Sequence, residues 1–558
     1  MRLLVATTAF ALLSRCRAIG ETIDLGYAKY QGTTNQTLGV TSFFALPYAA
    51  PPKGNLRWRE PVPIDIGGAC GADPQDATVP GPICPQTIPG WAFELLEQFE
   101  SIAQEFPSIA QKLSDTASTG SEDCLHLDAI VPTSPASSKL PVVVQIHGGG
   151  YVAGSSTSLD GTHFVSESSG SVIWVQIQYR LGPYGFLGGD AVQSDGTANA
   201  GLLDQRLALK WVQKHIAAFG GDPSRVTIWG GSAGGGSIIN QMILHGGTDH
   251  SLFSGVIAEF PWMQPYHDTP IVEAQYADLL AAAGCADLAC LRALPSNKLA
   301  NASQAAYQTG YAAQKYGYGD FYFGPIVDGH VIKAPPSQEF KNGHFTKVPI
   351  LIDHNVYEGL LFSNLSITQE TQIKADLEQA WPGTDKSFYK ELFSLYPAWR
   401  FSHIPVDESP VISLLTSLLS LQPAIFHRSR IWEDYVIKCP TYNYATTLSE
   451  HGIPVYKMSF EAGTQLHGAT TPYLMSASDA SGNGDAALAS QMKKWFLSFV
   501  TDGNPNARSN AFETFWPTYS HRKWVLNVDL SSAVTVVRDQ DATRRCDFFF
   551  DNSLLLRN

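Results

Sequence analysis

The twenty residues SRVTIWGGSAGGGSIINQMI, Ser224 to Ile243, constrain this chain more than any other stretch. The β-branched run Val226 to Trp229 predicts a strand, the glycines a sharp turn, and the apolar residues beyond them a helix. A serine at such an elbow, Ser232, is held in strained backbone, and flanking glycines remove the β-carbons that would clash there. Its hydroxyl is pushed outward at the start of a helix, where backbone N–H groups point at an incoming oxyanion. These are the conditions an activated serine nucleophile needs; a bare Gly-rich turn would not need the strand before it and the helix after it.

Other β-branched runs ending in Gly-rich or polar turns alternate with helical patterns, so the chain reads as α/β: a large, mostly parallel central sheet flanked by crossover helices. The clearest strands are Pro141 to Ile146, Val172 to Tyr179, Val226 to Trp229, Gly255 to Glu259, Val348 to Asp353 and Val455 to Phe460. Functional groups are expected just beyond the carboxyl ends of these strands. Between Cys84 and Cys124, Ala92, Leu95, Leu96, Phe99, Ile102, Ala103 and Phe106 recur at helical spacing, which fits either a surface helix packed on the core or a lid. Val411 to Leu421 reads as a core helix.

No Pro, Gly or Ser-rich linker divides the 558 residues, and with 44% hydrophobic and 16% charged residues the chain is expected to fold as one domain over 19–558. A net charge of -14 opposes nucleic-acid and anionic-membrane partners. Residues 1–18 have the layout of a secretory signal peptide, basic then apolar then small, and no other apolar run reaches spanning length, so no integral membrane segment is expected. Removing Cys16 leaves seven cysteines, Cys70, Cys84, Cys124, Cys285, Cys290, Cys439 and Cys546, without metal-site spacing, and the odd number leaves at least one thiol unpaired. Asn35, Asn301 and Asn364 stand in glycosylation triplets, consistent with export.

The strand LPVVVQI runs into His147, Gly148, Gly149, Gly150 and Tyr151. An oxyanion needs several N–H donors converging on one oxygen, which requires backbone without side chains in the way, and this run supplies it. His147 itself reads as a structural loop residue. The partners of a serine on this kind of sheet follow in the order acid, then base. Glu358, after the strand VPILID, and His467, after VYKMSF, both leave strands and can converge on Ser232, with His467 as general base and Glu358 fixing its tautomer. Spacing alone leaves Asp353 as a rival acid and His330 or His354 as rival bases; Asp328, in IVDGH, reads as a turn residue.

Taken together, FFALPYAAPPKGNLRW, SEDCLHLDAIVP, HGGGYVAGSS, YRLGPYGFL, NAGLLDQRLALKWVQKHIAAFGGDPSRVTIWGGSAGG, VPILIDHNVYEGLLF and HGATTPYLM make the chain resemble the type B carboxylesterase and lipase family over nearly its whole length. The resemblance implies the α/β-hydrolase fold and a Ser232–His467–Glu358 triad, because members carry the acid in an EG pair and the base in an HG pair. It likewise implies oxyanion donors Gly149, Gly150 and Ala233, a disulfide Cys84–Cys124 closing a loop or lid over 85–123, a looser match for Cys285–Cys290, and buried ion pairs Arg57–Glu122 and Arg180–Asp204. Cys70, Cys439 and Cys546 have no assigned partner.

By the same resemblance the chain is expected to be a secreted serine esterase that forms an acyl-enzyme on apolar or bulky small-molecule esters, with no cofactor and no metal. Alternatives are a triglyceride or sterol-ester lipase, a transesterase or lactone-processing enzyme of specialised metabolism, and a catalytically silent cholinesterase-like binding protein. Two departures stand out. Gly231 replaces the Glu of the usual GESAG, and Glu259, Phe260, Pro261 replace the usual QSG, so Glu259 is expected to restore negative charge near the site.

Overall fold

The computed structural model describes residues 20–64, 73–100, 120–248, 251–404, 410–479, 485–509 and 513–558. Eleven strands form its main sheet: β1 (Thr33–Asn35), β2 (Val40–Pro47), β3 (His126–Pro132), β4 (Leu140–Ile146), β5 (Ile173–Ile177), β6 (Gly221–Gly231), β7 (Gly255–Glu259), β8 (Ile350–Asn355), β9 (Val455–Phe460), β10 (Trp524–Val528) and β11 (Val534–Arg538). Their spatial order is β11-β10-β9-β8-β7-β6-β4-β5-β3-β2-β1. The seven strands from β10 across to β5 run parallel, and the antiparallel pairings lie toward the two edges. This is the α/β-hydrolase architecture expected from the sequence.

Strands covered on both faces read as near-continuous apolar runs, and β4, LPVVVQI, is buried at every position. Alternate side chains feed separate cores: Val142, Val144 and Ile146 enter the larger one and Val143 the smaller, just as Ile350 and Ile352 oppose Leu351 on β8. Helices α1 (Gly90–Glu100), α2 (Ala200–His215) and α3 (Ala233–Ile243) bear on the site, and α3 is buried throughout. Pairing in register places Glu259, the last residue of β7, between Gly231 of β6 and Asp353 of β8. The carboxyl ends of the three strands therefore form one ledge.

Arg57 and Glu122 form a buried fork-to-fork pair, with nitrogen–oxygen distances of 2.7 and 2.6 Å. Arg180 and Asp204 form a second, with both distances 2.7 Å. Each arginine also donates to backbone carbonyls, so these pairs staple loops rather than meet solvent. Disulfides join Cys84 to Cys124 and Cys285 to Cys290. A third, Cys439–Cys546, ties the helix Cys439–Glu450 to the helix Arg544–Asp551; sequence reading assigned it no partners, because 107 residues separate the two thiols. Cys70, the signal-like segment 1–18 and most of the 85–123 loop beyond α1 lie outside the described residues. Asn35 and Asn301 are exposed, and Asn364 is half-buried.

The expectation of a core helix at Val411 to Leu421 needs correction. The helix Pro410–Leu419 buries Ile412 and Leu415 but leaves Leu414 41% exposed, so one stripe faces the protein and the rest lies at the surface. The interspersed Ser413 and Ser417 are exposed. Among the described residues, no helix is long and apolar enough to cross a membrane.

Loop-closure entropy makes a bridge across a long separation strongly stabilising. Replacing Cys439 and Cys546 together by Ser is expected to lower stability by about 2–4 kcal/mol, read as a fall of several degrees in Tm; an unchanged Tm would show that the bridge carries no such load.

Candidate active site

Ser232 sits between β6 and α3 with φ 59° and ψ −127°, a conformation that non-glycine residues rarely adopt. The turn is tight enough to exclude side chains around it. A β-carbon on Gly230 would come within 2.5 Å of Gly234 backbone, and one on Gly234 within 2.2 Å of the Ile146 carbonyl. A β-carbon on Gly148 would lie 2.7 Å from the Gly231 carbonyl and 3.1 Å from Ser232 Cβ, which places the glycine run after β4 against the elbow. Gly149 and Gly150 turn through φ 99° and 63°. Among the described residues no acceptor takes the N–H groups of Gly149, Gly150 or Ala233, and Ala233 opens α3, where an N–H has no partner within the helix.

Two loops beyond β8 and β9 are zipped together by a parallel bridge between Tyr357 and Leu466, with Tyr357 N donating to Gln465 O at 2.9 Å. The next residue on each side is Glu358 and His467. His467 Nδ1 meets Glu358 Oε2 at 2.5 Å. The other carboxylate oxygen accepts from Asn355 N at 2.5 Å and from Asn355 Nδ2 at 2.9 Å. Burial pushes the Glu358 carboxyl up, but the His467 charge and these hydrogen bonds outweigh it and hold it below the usual carboxylate range. His467 Nε2 is buried and makes no hydrogen bond. The glycines of the EG and HG pairs have local reasons: a β-carbon on Gly359 would sit 2.2 Å from the Ser429 carbonyl, and Gly468 adopts φ 86°.

The rival residues are occupied elsewhere. His354 meets Asp541 at 2.8 Å, and His330 is exposed on a turn whose three N–H groups, from His330, Val331 and Ile332, are capped by Asp328. His147 stacks on Tyr179 at 4.4 Å and is pushed down to about 4 by burial, a structural residue rather than a base. Asp353 accepts from Phe260 N at 3.0 Å.

Sequence reasoning missed an aromatic wall. Phe260, Phe362 and Trp262 stand edge-to-face around the His467 ring at 4.9, 5.1 and 6.0 Å. Trp262 packs on Phe362 at 4.4 Å and on Phe321 at 5.5 Å, and Trp91 of α1 packs on Phe321 at 5.6 Å. Phe321 leans over the oxyanion loop, where it would meet a β-carbon on Gly150 at 2.2 Å. Phe260 likewise fills the room above Gly231, 2.7 Å from a β-carbon there. The missing side chain at position 231 is thus replaced by a ring from the next strand.

A profile of the carboxylesterase family matches residues 21–549. The chain belongs to the carboxylesterase family. It is a carboxylic ester hydrolase. It is 33% identical to secreted lipase 1 of Botryotinia fuckeliana over 529 residues, covering 88% of this chain and 86% of that protein. It is 31% identical to the carboxylesterase patB of Aspergillus clavatus over 564 residues, covering 94% and 95%. The crystal structure of Aspergillus niger EstA superposes with a TM-score of 0.80 at 25% identity, covering 97% of this chain and 99% of that one.

Two further acids lie in the ledge below this esterase site. Burial raises Glu259 to about 7, and burial together with the charge of Glu259 raises Asp353 well above the usual aspartate range. An acid whose folded-state pKa is raised holds its proton when the unfolded chain has released it, so its contribution to stability is present at low pH and lost as pH climbs from about 4.5 through 7. For Glu259 that loss is on the order of 3 kcal/mol. The fall in Tm between pH 5 and pH 8 should be smaller in Glu259→Gln than in the parent; an equal fall would refute the assignment.

Proposed function

We propose that this carboxylesterase works through Ser232, His467 and Glu358 on apolar esters. The observation that carries the reading is the state of His467: Nδ1 held by an ionised Glu358, Nε2 buried and unpartnered. Phe260 fills the space above Gly231, the residue before the nucleophile, and also packs on the His467 ring, so one side chain bears on both segments. Ser232 Oγ attacks the ester carbonyl while His467 Nε2 takes its proton, and Glu358 stabilises the imidazolium. The N–H groups of Gly149, Gly150 and Ala233 receive the oxyanion. The imidazolium then protonates the departing alcohol, and water, deprotonated by the same nitrogen, releases the acid from the serine.

The ester's apolar part lies against Trp91, Trp262, Phe321 and Phe362, whose rings offer area and shape but few hydrogen bonds, which favours hydrocarbon or aryl groups. Export fits the signal-like start, the three disulfides and the relative named a secreted lipase.

Ser232→Ala should lower hydrolysis of p-nitrophenyl butyrate by ~10⁴-fold or more, abolish labelling by a fluorophosphonate probe, and leave Tm within a few degrees; retained turnover would end the assignment. Trp262→Ala should raise the ratio of kcat/KM for octanoyl over acetyl esters by about tenfold, in the range one enlarged apolar pocket provides; an unchanged ratio would remove Trp262 from the substrate pocket.

A further inference from the structure

The segment that ends β7 is bound to both ends of the nucleophile. Ser232 N donates to Glu259 O at 3.1 Å, and Trp262 N donates to Ser232 O at 2.9 Å. Between them Phe260 is held at φ 32°, a strained value for a non-glycine residue, with its N–H shared between the Asp353 carbonyl and carboxyl at 3.0 Å each. Its ring stands on His467.

The Glu259 side chain extends this arrangement to the histidine loop. One carboxyl oxygen accepts from Trp229 Nε1 at 2.5 Å and the other from Thr470 Oγ1 at 2.7 Å. Trp229 lies on the nucleophile strand three residues before Ser232, and Thr470 follows His467 by three. All three side chains are buried. Among the described residues Glu259 forms no ion pair: its partners are two neutral donors. A buried acid without a cation is destabilising, and an apolar side chain would fill the same space without that penalty. The carboxyl is accounted for by what it holds.

We propose that Glu259 is a positioning residue for His467, its carboxyl pinning the segment that carries the base to the strand that carries the nucleophile. The inference rests on the reading of Ser232 and His467 given above. Thr470 is the joint: its hydroxyl is the only donor from the histidine segment that reaches Glu259 among the described residues. The titratable groups facing Glu259 are Asp353, its register partner on β8, and beyond it Glu358 and His467. None is a cation except the protonated imidazole; the Glu259 charge, which develops as pH climbs through about 7, favours imidazolium and so extends the acid limb of the rate profile to higher pH.

The test uses the full chain, with p-nitrophenyl butyrate across pH 5 to 9. Thr470→Val removes the hydroxyl at nearly constant shape, and Thr470→Ser restores it. Glu259→Gln keeps a hydrogen-bonding group of the same size but no charge. Thr470→Val is expected to lower kcat about tenfold with KM within about twofold, Thr470→Ser to recover most of that loss, and Glu259→Gln to move the acid limb of kcat/KM to lower pH by several tenths of a unit. Parental kcat in Thr470→Val, a Ser variant no better than Val, or an unmoved acid limb in Glu259→Gln overturns the proposal. Circular dichroism and Tm on each variant separate these losses from misfolding. Should Ser232→Ala stay active, the triad reading fails; should Ser232→Ala be dead while the Thr470 and Glu259 variants behave as the parent, only the positioning role fails.

Discussion

The turn at Ser232 is crowded on every side, and the crowding decides what can stand near it. The backbone passes through φ 59° with carbonyls and ring atoms within 2.2 to 2.7 Å of any β-carbon at positions 148, 230, 231 and 234. Only glycine fits there, so the loop after β4 can press on the elbow and leave its N–H groups aimed at one point. The strain at Ser232 is offset by hydrogen bonds from both of its backbone groups to the segment after β7. Ser232, the glycine run after β4 and the first residues of the aromatic wall therefore form one packed unit, and displacing any one of them must disturb the others.

Much of this was legible in the sequence because it is written locally. The β-branched runs predict strands, with β7 and β9 falling at their expected limits. Glu358 and His467 are betrayed by their following glycines, each forced by a nearby carbonyl or a positive φ. What the sequence concealed depends on contacts between distant segments. The Tyr357–Leu466 bridge that sets the acid beside the base leaves no local signature. The aromatic wall draws one or two residues each from segments around positions 91, 260, 321 and 362. The apolar run at 411–421 does not reveal that its helix buries only Ile412 and Leu415 fully and leaves Leu414 exposed. Glu259 was flagged as a departure, but its two partners lie on separate elements.

Alternation along β8 separates two kinds of buried charge. Asp353 points to the ledge it shares with Glu259, and the charges that bear on it, Glu259 and Glu358, are acids too. The next residue, His354, points the other way, to Asp541, which also receives Lys457 at 2.6 Å; Lys457 in turn meets Asp539 at 2.7 Å. One face thus holds a buried lysine shared by two aspartates, with a histidine bonded to one of them, a network of the kind that fixes packing. The other holds three acids, Glu259, Asp353 and Glu358, with a single base, His467. A fold has no structural need to concentrate like charge in its interior, and such imbalance is commonly confined to places where chemistry depends on it.

The strap that begins at Cys84 has a mechanical consequence. Gln86 bonds both the N–H and the carbonyl of Gly154, Thr87 N donates to Val152 O, Ile88 is gripped through both backbone groups by Gln304, and Gly90 N donates to Tyr316 Oη at 2.8 Å. Trp91 is then fixed by its indole N–H on the Asp320 carbonyl at 2.6 Å. These five anchors, at Gln86, Thr87, Ile88, Gly90 and Trp91, tie the segment between the disulfide and Trp91 to the body of the protein. Trp91 is therefore held in place, and with it the face that it turns to Tyr318, Phe321 and Phe362.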